Sequence, residues 1–209
     1  MNKKDTSSGS RVERKKEVTR NKIISVALSL FKKQGFNETT MEQIARDVDI
    51  AKGTLYNYFP VKEAIVDEYI KRNFREKNQE RIRELRRLHD TRARLTLVLG
   101  EMFEGVRAQK DLFEKYIIYR TKVLLSFHQD DSEKSGFHLA AAEIIELGQK
   151  SGEIRNDLPN YVLVELFEFA FIEAAKQFYL EPEKFNVRET VELCVDLCLN
   201  GIRPVVGKE

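Results

Sequence analysis

Apolar residues recur with helical spacing from Val18 onward: Ile23, Ile24, Ala27, Leu30 and Phe31 fall on one stripe of an amphipathic helix. Gly35 suits the left-handed residue that ends such a helix, and Phe36 beyond it can fold back on Phe31. A second helix starts at Thr40, with Gln43 completing a capping box and Ile44, Ala45 and Val48 forming its buried side. Asp49 and Ile50 leave room only for a tight turn before a third helix, Lys52 to Phe59, which Pro60 ends. A fourth pattern opens near Lys62 with Ala64, Ile65, Tyr69, Ile70 and Phe74 and continues through the charged stretch 75–87. Helical periodicity then returns over about 93–109, 112–128 and 135–150, followed by a connector in which Gly152 is a stop and Asp157 a cap. The stretch Asn160 to Leu180 is apolar nearly all round and therefore needs burial on more than one side. An Asn186-x-x-Glu189 box opens the last helix, which carries Val187, Val191, Cys194, Val195, Cys198 and Ile202. Nothing alternates with strand period, so the fold class is all-α.

Composition narrows the partners. A chain of 209 residues can hold one or two domains. No apolar run approaches the roughly 18 residues of a membrane span, and Met1 to Ser10 lacks a secretory core, so a cytoplasmic protein with no membrane partner is expected. Residues 1–16, with Ser7, Ser8, Gly9 and Ser10 before a basic run, read as a flexible arm. The net charge of +2 is unevenly placed: residues 1–62 hold 13 basic against 7 acidic side chains, and the remainder is acidic on balance. That asymmetry suits one end that meets a polyanion, although a solvated basic tail would produce it too. Cys194 and Cys198 share a helix face and read as small core residues; His89, His128 and His138 have no metal-ligand spacing, so neither a metal nor a cofactor is expected.

The third helix carries the most informative chemistry. Leu55 and Phe59, four apart, turn toward a core and leave Lys52, Thr54, Tyr56, Asn57 and Tyr58 on the opposite face. A cation, hydroxyls and an amide are the groups that meet phosphates and base edges, and Gly53 allows close approach of the backbone. Tyr56 and Tyr58 would also serve as half-buried packing residues, and Thr40 is a cap whether or not it touches a phosphate.

From Ile23 to Val66 the chain resembles the DNA-binding domain of the TetR family of bacterial transcriptional regulators. The matching residues are Phe31, Gly35-Phe36, Thr39-Thr40, Ile44-Ala45, the run Lys52 to Phe59 and Lys62-Glu63-Ala64. The resemblance implies a helix-turn-helix domain over residues 17–64, with its motif at 40–59, and a helical ligand-binding and dimerisation domain over 65–209. It assigns operator contacts to Lys52, Gly53, Thr54, Tyr56, Asn57 and Tyr58, with Thr40 and Lys62 on flanking phosphates. Repression is the family default. Three positions depart from the family pattern: Asp49 replaces a common turn glycine, Ala51 a frequent serine, and Val61 the usual cap before the fourth helix.

Helix-turn-helix modules read two half-sites as dimers. The apolar surplus of the last two helices is expected to form a four-helix interface with a second copy through Phe167, Phe171, Ala174, Phe178, Val191, Cys194, Val195 and Cys198; burial in a single core is the competing account. Phe103, Tyr116, Tyr119, Phe127, His138, Phe167 and Phe171 are candidates for a pocket taking a small hydrophobic effector, which the resemblance implies, or they fill a helical core. Arg81, Arg83, Arg86 and Arg87, interleaved with Glu80 and Glu84, read as a solvated face. No Glu-x-x-His pair, nucleophile elbow or phosphate loop occurs, so an enzyme is not expected. A protein-interaction module that never touches DNA is the remaining alternative.

Overall fold

The computed structural model of the chain describes residues 6–125 and 136–202, and within them every regular element is helical. The order is α1 (Thr6–Gln34), α2 (Met41–Val48), α3 (Lys52–Tyr58), α4 (Lys62–Glu76), α5 (Asn78–Arg87), α6 (Thr91–Ala108), α7 (Lys110–Leu124), α8 (Gly136–Ser151), α9 (Asn160–Leu180) and α10 (Val187–Ile202). Two compact units result, residues 1–69 and 70–209, with the division inside α4. It lies a turn beyond the expected boundary at 64, because the helix does not stop where the motif does.

In the N-terminal unit α1 buries Ile23, Ile24, Ala27 and Phe31 against α2. The helix begins at Thr6, so residues 6–16, expected to form a flexible arm, are helical instead. Once the buried stripe has set the first turns, each added turn needs little further ordering, and residues 11–17 extend it with exposed side chains. Gly35 adopts a positive φ of 89° and donates to the Phe31 carbonyl at 3.0 Å, while the Phe36 ring lies 4.9 Å from that of Phe31. The Thr40 hydroxyl accepts from the Gln43 amide at 3.1 Å, and the Gln43 side chain accepts from the Thr40 amide at 2.9 Å. Asp49 closes α2 in the left-handed region at φ 62°, which lets the Ile50 amide reach the Ala45 carbonyl at 3.0 Å and turns the chain into α3.

The C-terminal unit is a bundle in which α8 packs on α9, α6 and α5, and α10 packs on α6 and α9. Phe103 is fully buried, with its ring 5.3 Å from Phe171 and 5.5 Å from Phe185. Asp90 caps α6 through the Ala93 amide at 2.7 Å. Asp157 does not cap α9: it accepts from Arg155, and the helix follows Pro159 without a side-chain cap. Gly148 permits a close crossing, because a Cβ there would lie 2.5 Å from Ile154 Cδ1 and 2.8 Å from Thr91 Oγ1. The charged stretch after Phe74 breaks into two helices at Lys77, and Arg81 is not on a solvated face. It is 4% exposed, donating from Nε to Glu101 at 2.6 Å and from Nη1 to the Phe74 carbonyl at 3.3 Å.

Candidate functional site

α3 is a short helix anchored to the core through its buried side. Leu55 is fully buried and Phe59, which follows the helix, is nearly so, with the Arg20 guanidinium 5.4 Å from the Phe59 ring centre. α1 also fastens the end of α2, where Lys22 Nζ donates to the Val48 carbonyl at 2.7 Å. The face opposite Leu55 is free of these contacts. Lys52, Gly53, Thr54, Tyr56 and Asn57 are all exposed, and Tyr58 is half-buried. Five of the residues nominated from sequence on this helix thus point to solvent together, with Tyr58 at their edge. Ala51, before the helix, supplies no side-chain cap.

Electrostatics qualify two of the nominated cations. Lys52 Nζ is paired with the Glu42 carboxylate of α2 and lies 5.8 Å from the Tyr56 ring centre. The shared hydrogen bond holds the Glu42 carboxyl below its usual pKa and the Lys52 ammonium above its own. Lys62 Nζ donates to the carbonyls of Thr39 at 2.6 Å and Phe36 at 2.7 Å, and lies 4.5 Å from the Phe36 ring centre. A weaker donation reaches the Asn37 carbonyl at 3.4 Å. The Lys62 ammonium fastens the turn before α2, so a phosphate contact there would have to displace one of these bonds. Thr40 is exposed and its hydroxyl is engaged as the cap of α2. Glu42, Lys22 and Arg20 escaped the reading from sequence because their partners lie on other helices.

The aromatic residues expected to line a pocket behave differently. Phe103, Phe167 and Phe171 are buried and closely packed, and the cavity bordered by Tyr116, Arg120, Phe137, Glu168 and Phe171 measures only about 10 Å³, the space of a single water. These residues form the core of the unit, because aromatic area on nearly all-apolar helices is most stable when sealed. Tyr119 and His138 are half-buried, and His138 Nδ1 stands 3.7 Å from the buried Glu168 carboxylate. Phe127 lies outside the described residues. A groove of about 710 Å³ opens elsewhere in the unit, along α4, α5 and α6, and includes none of the nominated pocket residues.

The residues expected at a dimer interface are also mostly internal. Phe167, Phe171, Val191, Cys194 and Val195 are buried within their own unit, and Ala174, Phe178 and Cys198 are partly covered. Apolar side chains face outward at neighbouring positions instead: Tyr161, Leu166 and Phe169 on α9, and Leu193 and Leu197 on α10, the last 64% exposed. Both thiols are pushed up by burial, Cys198 to about 12. Among the described residues no helix is long and apolar enough to cross a membrane.

Residues 23–69 match the family model described as bacterial regulatory proteins, tetR family. Over 44 residues the chain is 48% identical to the uncharacterized HTH-type transcriptional regulator YuxN of Bacillus subtilis, a stretch covering 21% of this chain and 15% of that protein. Over 52 residues it is 38% identical to IcaR of Staphylococcus aureus, the HTH-type negative transcriptional regulator of the biofilm operon icaADBC, covering 25% and 28%. The chain thus spans well under a third of the length of these curated relatives. Likeness in fold extends much further. The Thermus thermophilus repressor FadR in complex with lauroyl-CoA superposes with a TM-score of 0.72 at 24% identity, over 91% of this chain and 96% of that one. The Bacillus subtilis regulator FadR in complex with stearoyl-CoA does so with a TM-score of 0.59 at 19% identity, over 87% and 98%.

Proposed function

From the premise that the chain belongs, through its N-terminal domain, to the TetR family of bacterial regulatory proteins, we propose that it is a homodimeric repressor that releases a palindromic operator when a small hydrophobic effector binds its C-terminal domain. The observation that carries this reading is the α3 face on which Lys52, Gly53, Thr54, Tyr56 and Asn57 stand exposed above a buried Leu55. These side chains are assigned to the major groove, Tyr58 to its edge and Thr40 to a flanking phosphate. Residues 17–64 are the DNA-binding domain, and 65–209 hold the effector and the dimer contact.

Two features support the rest. The outward apolar residues of α9 and α10 offer a second copy the kind of helical face that four-helix interfaces bury. The two FadR neighbours were captured with acyl-CoA ligands, which favours an apolar effector here as well. Because α4 belongs to both units, an effector that prefers one position of α4 would shift the operator-binding equilibrium.

Selection of bound sequences from a random duplex pool tests the reading directly. A palindrome with half-sites about one helical turn, 34–36 Å, apart or a multiple of it is expected. Tyr56→Ala should abolish the preference while retaining weak, salt-sensitive binding. Absence of any sequence preference at moderate salt overturns it.

A further inference from the structure

One surface of α6 is bare where it borders the large groove. Gly100 lies in the interior of an 18-residue helix, where glycine is less stable than alanine. No neighbouring helix demands it, since a Cβ at Gly100 would meet nothing within 4 Å. Gly105 has a different role, admitting the Phe113 ring to 3.2 Å from where its Cβ would be. Leu97, Gly100, Gly105 and Phe113 leave an apolar floor to a space of about 710 Å³, within the size range of sites that enclose small molecules.

Arg81 lines the same space. Its Nε and Nη1 are engaged by Glu101 and the Phe74 carbonyl, and its guanidinium lies 4.4 Å from the Phe74 ring centre. Among the described residues its Nη2 has no hydrogen-bond partner, although the side chain is 4% exposed. Nη2 is not sealed from solvent, and a donor that keeps access to the groove can exchange water for an acceptor on a bound molecule. Glu101 balances the guanidinium charge, and Glu76 and Glu104 at the rim outnumber Lys77. The spare amino group therefore offers a hydrogen bond without a net positive field, which suits a neutral acceptor and disfavours a carboxylate.

Resting on the regulator reading, we propose that this groove is the effector site and that it takes an apolar acyl compound through an uncharged carbonyl, of the ester, thioester or amide class. The carbonyl oxygen accepts from Arg81 Nη2, and the hydrocarbon runs along Gly100, Gly105 and Phe113. Free fatty acids are disfavoured, because Glu101 already balances the guanidinium and Glu76 and Glu104 leave the lining acidic.

Calorimetric titration of the 209-residue chain with methyl octanoate, sodium octanoate and octanoyl-coenzyme A, checked by ligand-observed NMR, tests this. Methyl octanoate should bind about tenfold or more tightly than octanoate, a gap of one hydrogen bond exchanged for a like-charge contact. Gly100→Leu should abolish its binding while the protein unfolds at the same or a higher temperature, and Arg81→Met should weaken it about tenfold. Binding of octanoyl-coenzyme A that Gly100→Leu also abolishes supports the proposal and identifies a thioester as the source. Equal or tighter binding of octanoate, retention of methyl octanoate by folded Gly100→Leu, or no saturable binding of methyl octanoate overturns it. A protein that selects a palindrome but binds no ester loses this assignment alone; one that selects no DNA sequence loses the regulator reading.

Discussion

A single carboxylate governs Lys52, the exposed cation of α3. Glu42 reaches from α2 to Lys52 on α3, and both side chains are more than half exposed. The pair is therefore weak in solution but still competes with any phosphate for the ammonium. Glu42→Gln should raise affinity for duplexes of every sequence and steepen the salt dependence by about one counterion, measured as the slope of log K against log salt. A change confined to one operator sequence would mean that Lys52 reads a base instead. Lys62 illustrates a different limit: its position in the sequence suits a phosphate contact, yet three carbonyls before α2 already surround it. The thiols are a third case. With Cys198 pushed up to about 12 by burial, thiol reagents should leave it unmodified in the native protein at pH 8 and modify it on unfolding. The sign follows from the neutral thiol being the buried form. Its contribution to stability is intact below the ordinary thiol pKa and is lost as pH rises through that value toward 12.

At the scale of elements, glycine positions separate helices that touch from a helix that borders open space. Gly148 of α8 sits where a Cβ would collide with Ile154 and Thr91, whereas Gly100 of α6 faces nothing. Opposite responses to one substitution are expected. Gly148→Ala should destabilise by about 1–3 kcal/mol through overpacking, and Gly100→Ala should stabilise by about 0.5–1 kcal/mol through helix propensity. Chemical denaturation of both variants checks the pair, and a loss of stability in Gly100→Ala would mean that the space beside α6 closes in solution. The break at Lys77 belongs here too. Without it Arg81 would continue the solvated face that its charged neighbours suggest; with it, α5 turns that guanidinium against Phe74 and Glu101.

For the whole molecule, the outward apolar positions of α9 and α10 matter most. Leu193 and Leu197 lie on one side of α10, 61% and 64% exposed, while Val191, Cys194 and Val195 are buried on the other. Leu193→Glu combined with Leu197→Glu should leave helicity unchanged and convert a dimer to a monomer in sedimentation. It should also abolish tight binding to a palindrome, since each half-site alone gives little affinity. A double variant that still sediments as a dimer would move the interface elsewhere.

The sequence by itself determined the all-helical architecture, the caps at Gly35, Thr40 and Asn186, and the face of α3. Those depend on neighbours within four residues, where periodicity and capping chemistry act. It also placed α9 from Asn160 to Leu180, because an unbroken run of that length is too long for a strand. Tertiary structure alone decided which apolar residues of α9 and α10 turn outward, that Phe103, Phe167 and Phe171 fill the core, and that a groove opens beside Gly100 and Arg81. A helix that is apolar all round has no face marked in its pattern, and a cavity is the absence of side chains from several helices at once. Neither leaves a periodic trace along the chain, so only the packing of distant segments could place them.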